Sequence, residues 1–380
     1  MKILMIDSLV GNDYSICLCN SLKKAGIDIE LLVTEDRNIK PPINFPVKKW
    51  APSKNSEKSK LIKPFILLKY LTQIFLYAAK NRNTILHYQF FRKERVEWLF
   101  FLLLRLTNAK LVHTAHNVLP HNHQKGNYFF KYIIYKSAGA IIVHSKFVKN
   151  KLVKQFNINA HKVEVIPHGN FDNYLPAELI TKKAARESLK FSKSDDVLLF
   201  FGFIKEYKGL DLLLEAFQIA AGNNHQLKLV IAGKPASKGL EDHYRKRIAD
   251  LSFNGHILYY PRFIPSDALP AFFAAADVVV LPYKKIDHSG IVHLGYSFGK
   301  PLIATNVGDF SEIIEQDKSG YIVEKNNAEN LAQTISDAFS DKQHLENMGN
   351  FAKQLSNTKY SWDDIANKTI ALYETFANTR

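Results

Sequence analysis

Cysteine is almost absent from this chain, since Cys17 and Cys19 are the only two among 380 residues. Standing two positions apart, they cannot join distant segments, so the sequence has no disulfide framework and favours a reducing compartment. The phosphate-binding fingerprints GxGxxG and GxxxxGK[ST] are also missing. No run of eighteen apolar residues occurs, so we expect no membrane-spanning helix. Because Asp7 interrupts the short apolar start, we expect a first strand there and no signal peptide.

Acidic residues are scarce in the first half of the chain. Residues 1–172 hold 27 Lys and Arg against 11 Asp and Glu, a net charge of +16, whereas residues 173–380 hold 24 against 25, a net charge of −1. A basic half indicates an anionic partner, which is either a phospholipid surface, a lipid-linked phosphate or nucleic acid. The alternative is that the positive charge forms a solvated surface that keeps the protein soluble. Lysine dominates without a nucleic-acid-reading motif, so we expect no nucleic-acid partner.

Strand-like and helix-like segments alternate from the N-terminus, which predicts an α/β fold with doubly wound parallel sheets. The pattern stops in the polar residues 172–194 and restarts with an apolar strand at residues 197–202. We therefore predict two Rossmann-like domains, residues 1–172 and 173–360, with a cleft between them. A tail helix near residues 361–380 is expected after the second domain, with a possible return to the first.

Three further segments of the first half have local patterns, and one of them has two alternative interpretations. Residues 40–60 are rich in Pro and Lys and are interpreted as a loop. The following residues 61–80 form either a core-facing amphipathic helix or a helix on a membrane face. Residues 96–106 are apolar throughout and are expected to form a buried helix that is too short to span a bilayer.

Residues 281–305 contain the strongest local signal, an apolar strand, a polar loop, a helix and a second strand. The loop places Ser289 and the N–H groups of Gly290 and Ile291 at a helix N-terminus, beyond the carboxyl end of a strand. Open α/β sheets bind phosphate at such a position. The alternative is an ordinary strand–helix–strand connection without a ligand.

Seven segments in order resemble the family-4-type glycosyltransferases, which have the GT-B fold of two facing Rossmann-like domains. The resemblance implies that the second domain binds a nucleotide-sugar donor and the first a glycan or lipid-linked acceptor, with no cofactor and no catalytic metal. It also implies transfer with retention, in the assembly of bacterial-type surface polysaccharide or glycolipid. The expected location is cytoplasmic, with peripheral binding at the inner face of the cell membrane as an alternative. The segments are HTAHNVLPH, IIVHS, VIPHGNF, LLFFGFIKEYKGLDLLLEAF, LVIAGK, FIPSDALPAFFAAADVVVLPY and SGIVHLGYSFGKPLIATNVGDFSEII.

The resemblance also assigns roles to individual residues. Lys208 matches the lysine that holds the donor diphosphate. The family's preceding arginine falls at Phe203, and Lys205 is the candidate replacement. His116 matches the histidine beside the donor sugar, and Gly11 lies in the first strand–helix loop, where a side chain would obstruct the donor phosphates.

One departure from the family concerns its two glutamates, which fall at Ile286 and Leu294. Their absence leaves the donor sugar without its usual carboxylate contact, and either Asp287 or His288 is the candidate replacement. Ser289 can still hydrogen-bond a diphosphate. An inverting enzyme that uses an Asp, Glu or His base stays an alternative to retention.

Other functions remain open at this stage. A sugar-nucleotide epimerase on the same fold needs no basic half, and a catalytically silent glycosyltransferase-like subunit fits the missing glutamates.

Four histidines lie within eleven residues, but no cysteine is near and we expect no metal site. They are His113, His116, His121 and His123.

Overall fold

The structure is a computed structural model that describes residues 1–9, 13–39, 43–53, 63–81, 83–91, 94–107, 109–118, 126–175 and 180–378. The chain divides into two compact units. The first unit comprises Met1–Gly169 and Trp362–Arg380, and the second comprises Asn170–Ser361.

The sheet of the first unit is parallel, as the strand–helix alternation predicts. Both of its faces are covered, which explains why its strands are apolar runs without clear alternation. The strands are β1 (Lys2–Asp7), β2 (Asp28–Thr34), β3 (Val47–Ala51), β4 (Ile85–Phe90), β5 (Lys110–Thr114), β6 (Ala140–Val143) and β7 (Val163–Val165). Their spatial order is β3-β2-β1-β4-β5-β6-β7.

Helices cover the two faces of this sheet unequally. One face packs against α2 (Lys63–Lys80), α3 (Glu94–Leu103), α4 (Gly126–Ser137) and α5 (Lys146–Phe156). The other face packs against α1 (Tyr14–Lys24), and the C-terminal helix, which is α14 (Trp362–Asn378), lies beside α1 on that same face.

Two expectations for the first unit are wrong. Residues 40–60 are not all loop, because the edge strand β3 lies within them. The helix expected at residues 96–106 is not buried: Phe101 and Leu104 face the core, but Leu99 and Leu106 are exposed. A run that is apolar on every side has no period, so its sequence could not reveal that one face meets solvent.

The second unit repeats the architecture with a six-stranded parallel sheet. Its strands are β8 (Asp196–Phe201), β9 (Leu227–Ala232), β10 (Ile257–Tyr260), β11 (Val278–Leu281), β12 (Leu302–Thr305) and β13 (Gly320–Val323), in the order β10-β9-β8-β11-β12-β13. Its helices are α6 (Lys182–Ser188), α7 (Leu210–Asn223), α8 (Lys238–Ala249), α9 (Leu269–Ala275), α10 (Gly290–Ser297), α11 (Phe310–Ile313), α12 (Ala328–Ser340) and α13 (Lys342–Asn357).

Each sheet has a point where the strand order reverses, between β1 and β4 in the first unit and between β8 and β11 in the second. Connections leave such neighbouring strands in opposite directions, which opens a crevice at their carboxyl ends, and ligands of open α/β sheets bind there. None of the helices in the described ranges combines the length and the apolar character needed to cross a bilayer.

Candidate active site

Three loops meet at the carboxyl edge of the second sheet, next to its reversal point. The backbone N–H of Lys284, after β11, donates to the carbonyl of Tyr207, after β8, at 2.8 Å. The loop after β12 is equally close, because a Cβ placed on Gly308 would lie 2.5 Å from the carbonyl oxygen of Ile286. The crevice predicted from the strand order is therefore lined by segments that are about 100 residues apart in sequence.

The position of Lys208 in this crevice depends on the residue that follows it, Gly209. It ends a 3₁₀ turn, and Gly209 follows with φ 68°, in the left-handed region that favours glycine. A Cβ on Gly209 would also lie 1.9 Å from the carbonyl oxygen of Pro282. Glycine is thus required for the turn to approach the loop after β11, and that approach fixes the Lys208 side chain.

The ammonium of Lys208 is buried, with 8% of the residue exposed. Its Nζ lies 5.1 Å from the centre of the Tyr283 ring, and no Asp or Glu in the described ranges forms an ion pair with it. Burial lowers the pKa of Lys208 to about 8. A buried cation without an anion is costly, so this site is suited to an anionic ligand.

The N-terminus of α10 lies beside Lys208. A Cβ placed on Gly202 would be 3.1 Å from Lys208 Nζ and 3.5 Å from Ile291 Cδ1, so both groups border the same small space. The helix begins at Gly290, as predicted, and the hydroxyl of Ser289 does not cap it. Its first N–H groups can therefore bind an anion together with the lysine.

Lys205 begins the same turn that Lys208 ends. Its Nζ lies 5.8 Å from the centre of the Tyr207 ring, and its side chain is half-buried. Phe203, at the position of the family's arginine, is 53% exposed. The structure thus places a second lysine on the crevice loop and leaves the phenylalanine in solvent.

A histidine–carboxylate pair lies on the loops after β11 and β12. His288 Nδ1 is 2.7 Å from Asp309 Oδ2, and both side chains are buried. The other carboxylate oxygen of Asp309 has no hydrogen-bond partner in the described part of the chain. Asp287, which directly precedes His288 in the chain, is also buried. Sequence reasoning found His288 but missed Asp309, because nothing local marks an aspartate 21 residues away.

The two positions of the family's glutamates are structural here. Leu294 belongs to the hydrophobic core, and Ile286 packs against that core. An apolar side chain cannot hydrogen-bond a sugar hydroxyl. Any polar contact to the donor sugar must therefore come from other residues, of which His288 and Asp309 are the buried ionisable pair on these loops.

His116 belongs to the first unit, after β5. Its ring stacks on Phe90, with centroids 4.4 Å apart, and meets the edge of Tyr14 at 4.8 Å. Both ring nitrogens are engaged: Nε2 lies 2.9 Å from Gln89 Oε1, and Nδ1 lies 3.0 Å from His144 Nε2. A charge-stabilising role suits this geometry better than a direct hydrogen bond to a sugar.

The sequence analysis did not identify Gln89 or His144, although the recurrence of histidines near strand ends is a signal for His144. Histidines occur in or just after β4, β5, β6 and β7, and the carboxyl ends of neighbouring parallel strands lie side by side. Gly11, His121 and His123 lie outside the described residues. No group of three or more His, Cys, Asp or Glu side chains in the described ranges is arranged to hold a metal ion.

Two family descriptions match the chain one after the other, Glycosyltransferase Family 4 over residues 14–170 and Glycosyl transferases group 1 over residues 181–355. An uncharacterized glycosyltransferase of Methanocaldococcus jannaschii is 32% identical over 245 residues, which cover 63% of this chain and 60% of that protein. The lipopolysaccharide 1,2-N-acetylglucosaminetransferase of Salmonella typhimurium is 28% identical over 276 residues, which cover 70% of this chain and 66% of that protein. The chain thus spans about two thirds or less of the length of these two relatives.

Solved structures share the whole architecture. The crystal structure of Anabaena Alr3699/HepE in complex with UDP superposes with a TM-score of 0.77 at 14% identity, covering 99% of this chain and 100% of that one. At this identity the likeness establishes the fold, and the predicted α/β GT-B fold is confirmed.

Proposed function

Because the chain belongs to the family-4-type glycosyltransferases of the GT-B fold, we propose that it transfers a glycosyl group from a nucleotide sugar to an acceptor hydroxyl. The observation that carries the proposal is the buried ammonium of Lys208 beside the first turn of α10. A nucleoside diphosphate supplies the anion that this site lacks, since its β-phosphate can contact the lysine and the N–H groups of Gly290 and Ile291.

The proposed reaction proceeds with retention and without a dedicated carboxylate base. The bond between the anomeric carbon and the β-phosphate oxygen breaks, and the acceptor oxygen bonds to that carbon. The acceptor proton passes to the departing phosphate oxygen. Lys208, Lys205 and the α10 N-terminus stabilise the charge that accumulates on the diphosphate. His288, which Asp309 holds in place, contacts the donor sugar, in place of the apolar Ile286 and Leu294.

Diphosphate binding predicts both thermal stabilisation and a defined pH dependence. One member of a panel of UDP, GDP, ADP, CDP and dTDP should stabilise the protein, by about 2.7 kcal/mol at a hundred times its dissociation constant. The diphosphate binds the protonated form of Lys208, whose pKa is about 8. The dissociation constant should therefore be steady from pH 7.5 to 8 and rise above pH 8, by up to about tenfold per pH unit.

Differential scanning fluorimetry and isothermal titration between pH 7.5 and 9.5 measure both effects. Stabilisation without the rise above pH 8 would place the nucleotide elsewhere than at Lys208. If none of the diphosphates stabilises the protein, the alternative of a catalytically silent subunit is favoured. The apolar side chains at positions 286 and 294 are consistent with that alternative.

The proposed acceptor is lipid-linked, and a surface of the first unit supports this part of the proposal. The outward sides of α2, α3, the turn after α3 and α4 carry exposed apolar side chains, and we call them the apolar face. Phe75 of α2 contacts Phe100 of α3, and Trp98 of α3 contacts Phe129 of α4, so the helices form one continuous layer. The exposed side chains are Phe65, Leu68, Leu76, Val96, Leu99, Leu102, Leu103, Leu106 and Phe129.

The charge around the apolar face is of one sign. Residues 63–154 contain 16 Lys and Arg, two Glu and no Asp, and Glu97 is buried. An exposed apolar patch with a basic surround is complementary to an anionic lipid surface. Lys54, Lys58 and Lys60 precede α2 in the sequence and add positive charge to the hypothesis of an anionic lipid surface, but they lie outside the described residues.

Replacing two leucines of the apolar face should weaken membrane binding. In Leu99→Gln/Leu106→Gln we expect the partition coefficient onto phosphatidylglycerol vesicles to fall at least tenfold, because two side chains no longer bury apolar area in lipid. Ile219→Gln/Phe263→Gln is the matched control, since both residues are exposed apolar side chains of the second unit. Cosedimentation measures the effect, and equal binding by the two variants would contradict the proposal.

A further inference from the structure

A chain of hydrogen bonds crosses the carboxyl half of the first sheet, from α14 to the segment after β7. Tyr373 Oη lies 2.5 Å from His87 Nδ1, and Gln89 links His87 to His116. His116 then joins His144, whose Nδ1 lies 3.0 Å from the carbonyl oxygen of Ile166. We call this series the histidine chain, and each link restricts where the protons can lie.

The far end of the histidine chain fixes His144. A backbone carbonyl only accepts hydrogen bonds, so His144 Nδ1 must carry a proton that it donates to Ile166. Between His144 Nε2 and His116 Nδ1, at 3.0 Å, one further proton is needed for a hydrogen bond. The remaining nitrogen, His116 Nε2, faces Gln89.

The orientation of the Gln89 amide therefore decides the charge. Its amide nitrogen lies 3.2 Å from Met5 Sδ and 3.1 Å from His87 Nε2. The thioether sulfur of Met5 cannot donate, so the N–H₂ end of the amide suits this side. Burial lowers the pKa of His87 to about 3, so its ring is neutral; its Nε2 can accept from Gln89 and from the Thr114 hydroxyl, 2.7 Å away, while Nδ1–H donates to Tyr373.

With that orientation, the carbonyl oxygen of Gln89 faces His116 Nε2, which must then be protonated. Three protons lie on the rings of His116 and His144, whereas two neutral imidazoles carry two. We infer that the His116–His144 pair holds one positive charge, and that Gln89 and His144 are positioning residues that maintain it. The inference concerns a charge state, and its catalytic meaning rests on the proposed function.

The surroundings suit a cation. His116 stacks on the face of Phe90, and within the described ranges Tyr14 of α1 and His168, after β7, are titratable groups that contact the pair. Burial raises the pKa of Tyr14, which keeps its hydroxyl neutral. In the proposed glycosyl transfer, a fixed positive charge in the first unit stabilises negative charge that develops on the acceptor oxygen.

Nitrogen-15 NMR of histidine-labelled protein at pH 7.5 tests the charge state without turnover. We expect ring signals equivalent to one imidazolium, which disappear in His116→Phe, a variant that keeps a flat ring against Phe90. Two neutral rings at His116 and His144 would overturn the inference while leaving the proposed glycosyl transfer intact.

Two variants of Gln89 separate positioning from packing. Gln89→Leu removes the acceptor, so we expect the imidazolium signal to vanish and kcat to fall about tenfold with the donor KM unchanged. Gln89→Glu restores an acceptor for His116 Nε2–H and should keep the signal, with kcat within about threefold of wild type. Equal losses in both variants, with the signal retained, would mean that Gln89 serves packing alone.

Discussion

Lys208→Met should lower kcat/KM for the nucleotide sugar about 10²- to 10³-fold and leave the folded state at least as stable as the wild type. The rate falls because the variant loses the ammonium that stabilises the departing diphosphate. Stability does not fall, because the lysine is buried and pairs with no carboxylate in the described ranges. Replacing an unpaired buried cation by an apolar side chain of similar length removes a desolvation penalty.

Steady-state kinetics, isothermal titration of the diphosphate and thermal unfolding together measure this prediction. Lys300→Met is the matched control, because burial also lowers the pKa of Lys300 to about 8. That ammonium has structural partners instead, donating to the carbonyl of Ala276 at 2.8 Å. We expect the control to keep its diphosphate affinity. A loss of affinity in both variants would mean that buried charge in general, and not Lys208, sustains the site.

Asp309→Asn should separate binding of the sugar from binding of the nucleotide. We expect kcat/KM for the nucleotide sugar to fall about 10- to 100-fold, since the variant loses the carboxylate that holds His288 in place. The affinity for the free diphosphate should stay unchanged, because the proposed diphosphate site is at Lys208 and α10. The comparison therefore isolates the sugar portion of the donor.

Asp277→Asn is the control for losing a mostly buried, hydrogen-bonded carboxylate. Asp277 Oδ2 accepts from Arg186 at 2.7 Å and from the backbone N–H of Val197, so its role is structural. We expect this variant to unfold at a lower temperature and to keep the ratio of nucleotide-sugar to diphosphate affinity. If Asp309→Asn changes both affinities equally, then Asp309 supports the loops and does not position His288 for the sugar.

The sequence alone was sufficient for the architecture, and it also pointed to Lys208 and the α10 N-terminus, where phosphate binding stays a prediction. Alternating apolar strands and amphipathic helices are local patterns, and they predicted two parallel sheets because parallel neighbours require helical crossovers. The start of α10 at Gly290 follows from the helical spacing of the apolar residues after it, and its end near Gly299 follows from the preference for glycine after a helix. Lys208 was found because it lies in a short motif whose residues are consecutive.

Only the tertiary structure decided which distant residues act together. Asp309 reaches His288 because the loops after β11 and β12 meet at one edge, and Gln89, His116 and His144 meet because β4, β5 and β6 are neighbours. The outward side of α3 was equally hidden, since an apolar run has no period. Strand order and helix orientation arise from packing between segments far apart in the chain, and no local pattern encodes them.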